Sequence, residues 1–91
     1  MFVTVSYDIP DDKRRNKIAR TLKDYGERIQ YSVFECNITN EQYLQLLKRI
    51  TNIVLPEKDT VRFYRLCKEC KEKIKIVGLG KVTEDEEVYV I

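Results

Sequence analysis

The sequence predicts an α+β sandwich, with two helices laid on one face of a small sheet. Three observations carry that reading. Segments 2–8, 28–36 and 60–66 are rich in β-branched and aromatic residues, and two stretches between them repeat apolar residues at three and four positions. The resulting order is strand, helix, strand, helix, strand, with one further strand expected over 75–79 before Gly80.

Residues 2–8 alternate, placing Val3, Val5 and Tyr7 on one face of a strand and Thr4, Ser6 and Asp8 on the other. Pro10 ends that strand, and Asp11 or Asp12 caps a helix whose apolar positions are Ile18, Ala19, Leu22 and Tyr25. Gly26 suits its stop. The run 28–36 is strand, either one bent segment or two, with the break expected near Gln30 to Ser32. Thr39 and Gln42 form a capping-box pattern for a second helix from Asn40 to about Asn52, with Tyr43, Leu44, Leu47, Ile50 and Val54 as its apolar stripe. Thr60 to Leu66 alternates again, and residues 88–91 form a β-prone tail.

This order fits a ferredoxin-like βαββαβ sandwich over residues 1–80, provided that 28–38 supplies two strands. Residues 81–91 read as an acidic linker and an extra C-terminal strand that needs an edge to pair with, such as a partner protomer's sheet. If helices cover the Val3, Val5 and Tyr7 face, Asp8 lies on the open face, where two copies would stack.

The 91 residues make one domain with little surplus core, for which oligomerisation is a natural supplement. The net charge is only +2, but its distribution is uneven. From Lys13 to Arg28 there are seven bases against two acids, whereas residues 81–91 hold four acids and one base. One end is suited to phosphates and the other repels them. No apolar run approaches a membrane span of ~20 residues, and the first residues lack the basic leader of a signal peptide. Three cysteines without an export signal point to a cytoplasmic protein with reduced thiols.

Asp8, at a strand tip and followed at once by Lys13, Arg14, Arg15 and Lys17, places a candidate metal ligand beside a candidate phosphate-binding surface. Magnesium needs only one or two protein carboxylates on a nucleic acid, because water and phosphate complete its octahedron. Asp8 is thus either a metal ligand or an ordinary strand-ending turn former. The basic helix either neutralises phosphates or is a solvated face. Tyr7, Tyr31 and Phe34 either stack on bases or pack in the core. Cys67 and Cys70 form a CxxC, but with Cys36 as the only third soft ligand and no histidine they fall short of a structural zinc site. In a strand-to-strand connection they also lack the setting of a redox pair, so the spacing reads as incidental.

Three stretches carry a resemblance: Tyr7-Asp8-Ile9, the run Gly26-Glu27-Arg28-Ile29-Gln30-Tyr31-Ser32-Val33-Phe34-Glu35, and Asp59-Thr60-Val61-Arg62-Phe63-Tyr64-Arg65-Leu66. In order and spacing they resemble the CRISPR-associated Cas2 family. The resemblance implies a homodimer in which an Asp8 pair meets near the two-fold axis and shares a magnesium ion for phosphodiester hydrolysis in single-stranded RNA or duplex DNA. It implies Asp8 as metal ligand and catalytic residue, with Tyr7, Arg15, Arg28 and Phe34 in support. Lys17 falls where some members have arginine. It also implies a role in spacer acquisition, with the dimer bridging copies of the CRISPR integrase, Arg14, Arg15 and Lys17 on the DNA backbone, and residues 88–91 completing a partner's sheet. The alternatives are a stand-alone, toxin-like ribonuclease, a purely structural adaptor, and a CxxC metal-handling module.

Overall fold

The computed structural model describes residues 1–83. Strand β1 (Phe2–Asp8) leads to helix α1 (Asp12–Lys23), strands β2 (Glu27–Gln30) and β3 (Val33–Asn37), helix α2 (Asn40–Thr51), strand β4 (Thr60–Leu66) and the short helix α3 (Lys68–Glu72). One antiparallel sheet has the order β2-β3-β1-β4, the ferredoxin-like arrangement. The open question over 28–36 resolves into two strands joined by Tyr31 and Ser32, with a bulge between Arg28 and Gln30.

Local chemistry sets the helix ends. The Asp11 carboxylate accepts the Arg14 backbone N–H, and Thr39 and Gln42 close a full capping box on α2. Helix α1 ends at Asp24 in right-handed geometry, so Gly26 is not needed as a left-handed stop. It is needed for space: a Cβ there would stand 2.1 Å from the Glu35 carbonyl oxygen. Glycine lets the chain leaving α1 lie directly against β3.

The core lies between the sheet and α1 and α2. Val3, Val5 and Tyr7 of β1 and Phe34 and Cys36 of β3 meet Ile18 and Leu22 of α1 and Leu46 and Ile50 of α2. Full burial of each such aliphatic side chain contributes about 1.5–3 kcal/mol. Polar clamps tie the helices together: Arg49 of α2 donates to Asp24 (3.1 Å) and lies over the Tyr25 ring, whose hydroxyl donates to Gln45.

Two expectations fail after β4. Cys67 to Glu72 is not a strand-to-strand connection, because β4 runs straight into α3. Residues 75–79 are not a strand. Gly78 and Gly80 take φ of 99° and 121°, in the region that favours glycine and breaks an extended run, and the segment pairs with no strand of this sheet. The segment instead crosses the sheet face away from the helices. There Glu35 accepts from the Thr83 N–H (3.2 Å) and hydroxyl (2.8 Å), and Asn37 donates to the Thr83 carbonyl. The expected strand at 88–91 and the acidic stretch before it lie outside the described residues.

Candidate functional site

Among the described residues, one surface with uncommitted polar chemistry begins at β1 and a second lies between α1 and β2. Strand alternation sends Tyr7 into the core and Asp8 onto the opposite, open sheet face. Antiparallel pairing of β1 with β4 sets Asp8 against Thr60 and Ser6 against Arg62. The outcome is an open hollow of about 290 Å³ lined by Ser6, Tyr7, Asp8, Thr60, Arg62 and Tyr64. Asp8 is exposed and, among the described residues, makes no ion pair. Arg62 donates to the Tyr64 hydroxyl at 3.5 Å, which keeps its guanidinium at the same hollow.

The second surface is the shoulder between α1 and β2. Arg28 extends over the Phe34 ring, 5.4 Å from its centroid. It faces Asn16, Ala19, Arg20 and Lys23 across a groove, and a neighbouring groove adds Arg15 and Tyr31. The ring of Tyr31 is 93% exposed. Asn16, Arg20 and Lys23 recur at helical spacing on the side of α1 away from the core.

Among the residues expected to serve the site, the fold separates those that are free from those already engaged. Tyr7 is buried, its hydroxyl donating to the Tyr31 carbonyl at 3.2 Å, and Phe34 is completely buried against it. Neither ring offers a face to a base. Arg14 reaches away from the groove to make a two-pronged pair with Asp59, 2.7 and 2.9 Å, and Asp59 also accepts the Leu55 N–H. The Arg14 guanidinium, with help from that N–H, holds the Asp59 carboxyl below the usual carboxylate range, and the Arg14 pKa is raised in turn. Arg15 is half-committed: it donates to the Ile9 carbonyl at 3.0 Å and pairs with Asp12, bracing the turn after β1. Lys17 and Arg28 remain exposed and outside any ion pair among the described residues.

Nor do Asp8 and the helix bases stand side by side, as their closeness in sequence suggests. The carboxylate belongs to the open sheet face and the bases to the helix layer on the other side, because alternate β1 residues point to opposite faces. Reasoning from sequence counted Arg20 and Lys23 in the basic run without singling them out for the site, and it gave Arg62 and Tyr64 no part in the hollow. The signals were the alternation of β4 and the spacing of α1, but the strand register that aims them is a tertiary fact.

The fold and these surfaces define a class: a ferredoxin-like α+β domain with a carboxylate on its open sheet face and cations along its helix shoulder. Residues 1–74 match the family described as CRISPR associated protein Cas2. The CRISPR-associated endoribonuclease Cas2 1 of Chloroflexus aurantiacus is 43% identical over 93 residues, covering all of both chains. In the crystal structure of Streptococcus pyogenes Cas2, the similar chain is 35% identical with a TM-score of 0.75, covering 86% of this chain and 100% of that one. A chain of a partial Cas6-RT-Cas1–Cas2 complex is 32% identical with a TM-score of 0.72, covering 84% and 89%. The chain belongs to the CRISPR-associated Cas2 family.

Proposed function

We propose that this chain is a CRISPR adaptation protein, a homodimeric nucleic-acid-binding partner of the CRISPR integrase that carries a magnesium-dependent endonuclease site at Asp8. Family membership supports the adaptation role, as does likeness to a Cas2 chain in a complex that contains Cas1. The name of the Chloroflexus relative supports hydrolysis of RNA. No helix among the described residues is long and apolar enough to cross a membrane.

The observation that carries the catalytic reading is the exposed Asp8, without an ion-pair partner among the described residues, on a sheet face that a second copy can cover. Exposed Val77 and Leu79 supply apolar surface for the same contact. Among the described residues no three histidine, cysteine or acidic side chains cluster as metal ligands. One hard carboxylate beside the Ser6 and Thr60 hydroxyls therefore fits magnesium only if a second Asp8, water and substrate phosphate complete the shell. Bound there, the cation would acidify a water and offset charge on the phosphate. Asp8 would hold the cation, and Arg62, which donates to the Tyr64 hydroxyl, would orient a phosphate by two-pronged hydrogen bonding.

The test is cleavage of labelled single-stranded RNA and duplex DNA with and without magnesium, by wild type and Asp8→Asn prepared identically. The expected result is magnesium-dependent cleavage that falls at least ~100-fold in the variant. Equal cleavage by both proteins sinks the Asp8 site. Absence of cleavage in either, with duplex binding intact, leaves the structural adaptor as the function.

A further inference from the structure

The CxxC that reads as incidental in the sequence occupies a different setting in the fold. β4 ends at Leu66, and Cys67, in extended backbone geometry (φ −68°, ψ 167°), caps the first turn of α3. Its Sγ accepts the backbone N–H of Cys70 at 3.4 Å, so the helical turn folds the second cysteine back over the first. Both are free and exposed. Lys68 and Glu69 lie between the two cysteines in sequence; Glu69 is paired with Lys73 (3.3 Å), and the Lys71 ammonium stands over the Phe2 ring. Neither cysteine lines the Asp8 hollow or the α1 and β2 groove.

We propose that Cys67 and Cys70 are a thiol–disulfide exchange site, with Cys67 as the attacking thiol, Cys70 as the resolving thiol, and small anionic disulfides of the glutathione type as the oxidant. The Cys67 thiolate attacks one sulfur of the small disulfide, forming a mixed disulfide and expelling one small thiolate. Cys70 then loses its proton and attacks the Cys67 sulfur, forming the Cys67–Cys70 bond and expelling the second small thiolate. The two protein thiols are oxidised by two electrons in all, and one small disulfide is reduced to two small thiols that carry off the two protons.

The asymmetry of the two sulfurs agrees with this division of labour. Hydrogen bonding from the Cys70 N–H, then from its thiol, holds the Cys67 pKa below the ordinary thiol value, and the same contact raises that of Cys70. Cys36 is an internal control. It is wholly buried in the core, and desolvation, aided by the Glu35 charge, pushes its thiol up to about 12.

The test treats the reduced full chain with oxidised glutathione, traps remaining thiols by alkylation and maps them by mass spectrometry. Wild type is expected to become two hydrogens lighter without a retained glutathione, with Cys36 still free. Cys70→Ser is expected to stall as a glutathione adduct on Cys67, and Cys67→Ser to react at least ~10-fold more slowly than Cys70→Ser. Wild type that keeps both thiols or stops at a stable adduct overturns the proposal. So does a Cys67→Ser variant as reactive as Cys70→Ser.

Discussion

The helix layer and the open sheet face both adjoin β1, yet they treat their charges in opposite ways. On the helix side, Arg14 is bound to Asp59 and Arg15 to the turn carbonyls and Asp12, so the first two arginines of the basic run hold the fold together. On the open side, Asp8 has no ion-pair partner among the described residues. A charge is available for ligands where the fold gives it no partner, whatever charges stand next to it in sequence. Arg14 and Lys17 share one turn of one helix and still have different fates.

The sharpest way to break this comparison is Asp8→Asn. If the open-face carboxylate is functional and structurally idle, the variant loses magnesium-dependent cleavage at least ~100-fold while its melting temperature and duplex affinity match wild type. A drop in melting temperature would show that Asp8 supports the fold, and the contrast between the faces would disappear.

Arg14→Ala probes the helix side with the reverse expectation. Removing the guanidinium leaves the Asp59 carboxylate, whose side chain has no exposed surface, with the Leu55 N–H as its remaining hydrogen-bond donor. Thermal unfolding is expected to fall by several degrees, with little change in salt-dependent binding to duplex DNA. The acid limb also reports on this pair. The Asp59 pKa is depressed in the folded state, so its stabilisation is full above the ordinary carboxylate range and is lost as pH falls through the depressed folded value. In Arg14→Ala that pH dependence flattens. Unchanged stability with weakened DNA binding would mean that Arg14 belongs to the nucleic-acid surface after all.

Much of the fold was legible because its signals are local. Alternation marked β1 and β4, and Thr39 with Gln42 marked the start of α2 before any contact was known. Residues 75–79 are as β-prone in composition, but Gly78 and Gly80 take positive φ there and the segment pairs with neither edge of the sheet. The position of Asp8 on the open face was legible from the same alternation. What was not legible was partnership: Asp59 lies 45 residues beyond Arg14, and their meeting depends on how the loop after α2 packs. The setting of the CxxC was hidden for a similar reason, since α3 is a single short helix that follows β4 without a turn signal.

The uncommitted cations sharpen the comparison further. Arg20→Glu with Lys23→Glu alters only the outward side of α1, so the melting temperature should hold while duplex affinity falls ~10-fold or more. The slope of log affinity against log salt should shrink by about 0.9 for each phosphate that is no longer neutralised. Binding measured across a salt series is the readout. An unchanged slope would place the nucleic acid elsewhere, the open sheet face being the next surface to test.

The smallest effect separates two tyrosines that sequence alone treats alike. Tyr7 lies in the core with its hydroxyl on the Tyr31 carbonyl, whereas the Tyr31 ring stands in solvent beside the Arg15 and Arg28 groove. Tyr7→Phe removes one part-buried hydrogen bond, at about 0.5–1.5 kcal/mol of stability, and leaves affinity for single-stranded RNA unchanged. Tyr31→Ala costs no core packing but removes the one exposed ring at the groove among the described residues, so the same affinity falls by roughly 1–3 kcal/mol for a stacked base. Denaturant titrations and binding isotherms on both variants separate the two roles. If Tyr7→Phe weakens binding as much as Tyr31→Ala, the strand tip acts on nucleic acid as one unit, and the division between a structural side and a binding side fails at the residue where the two faces meet.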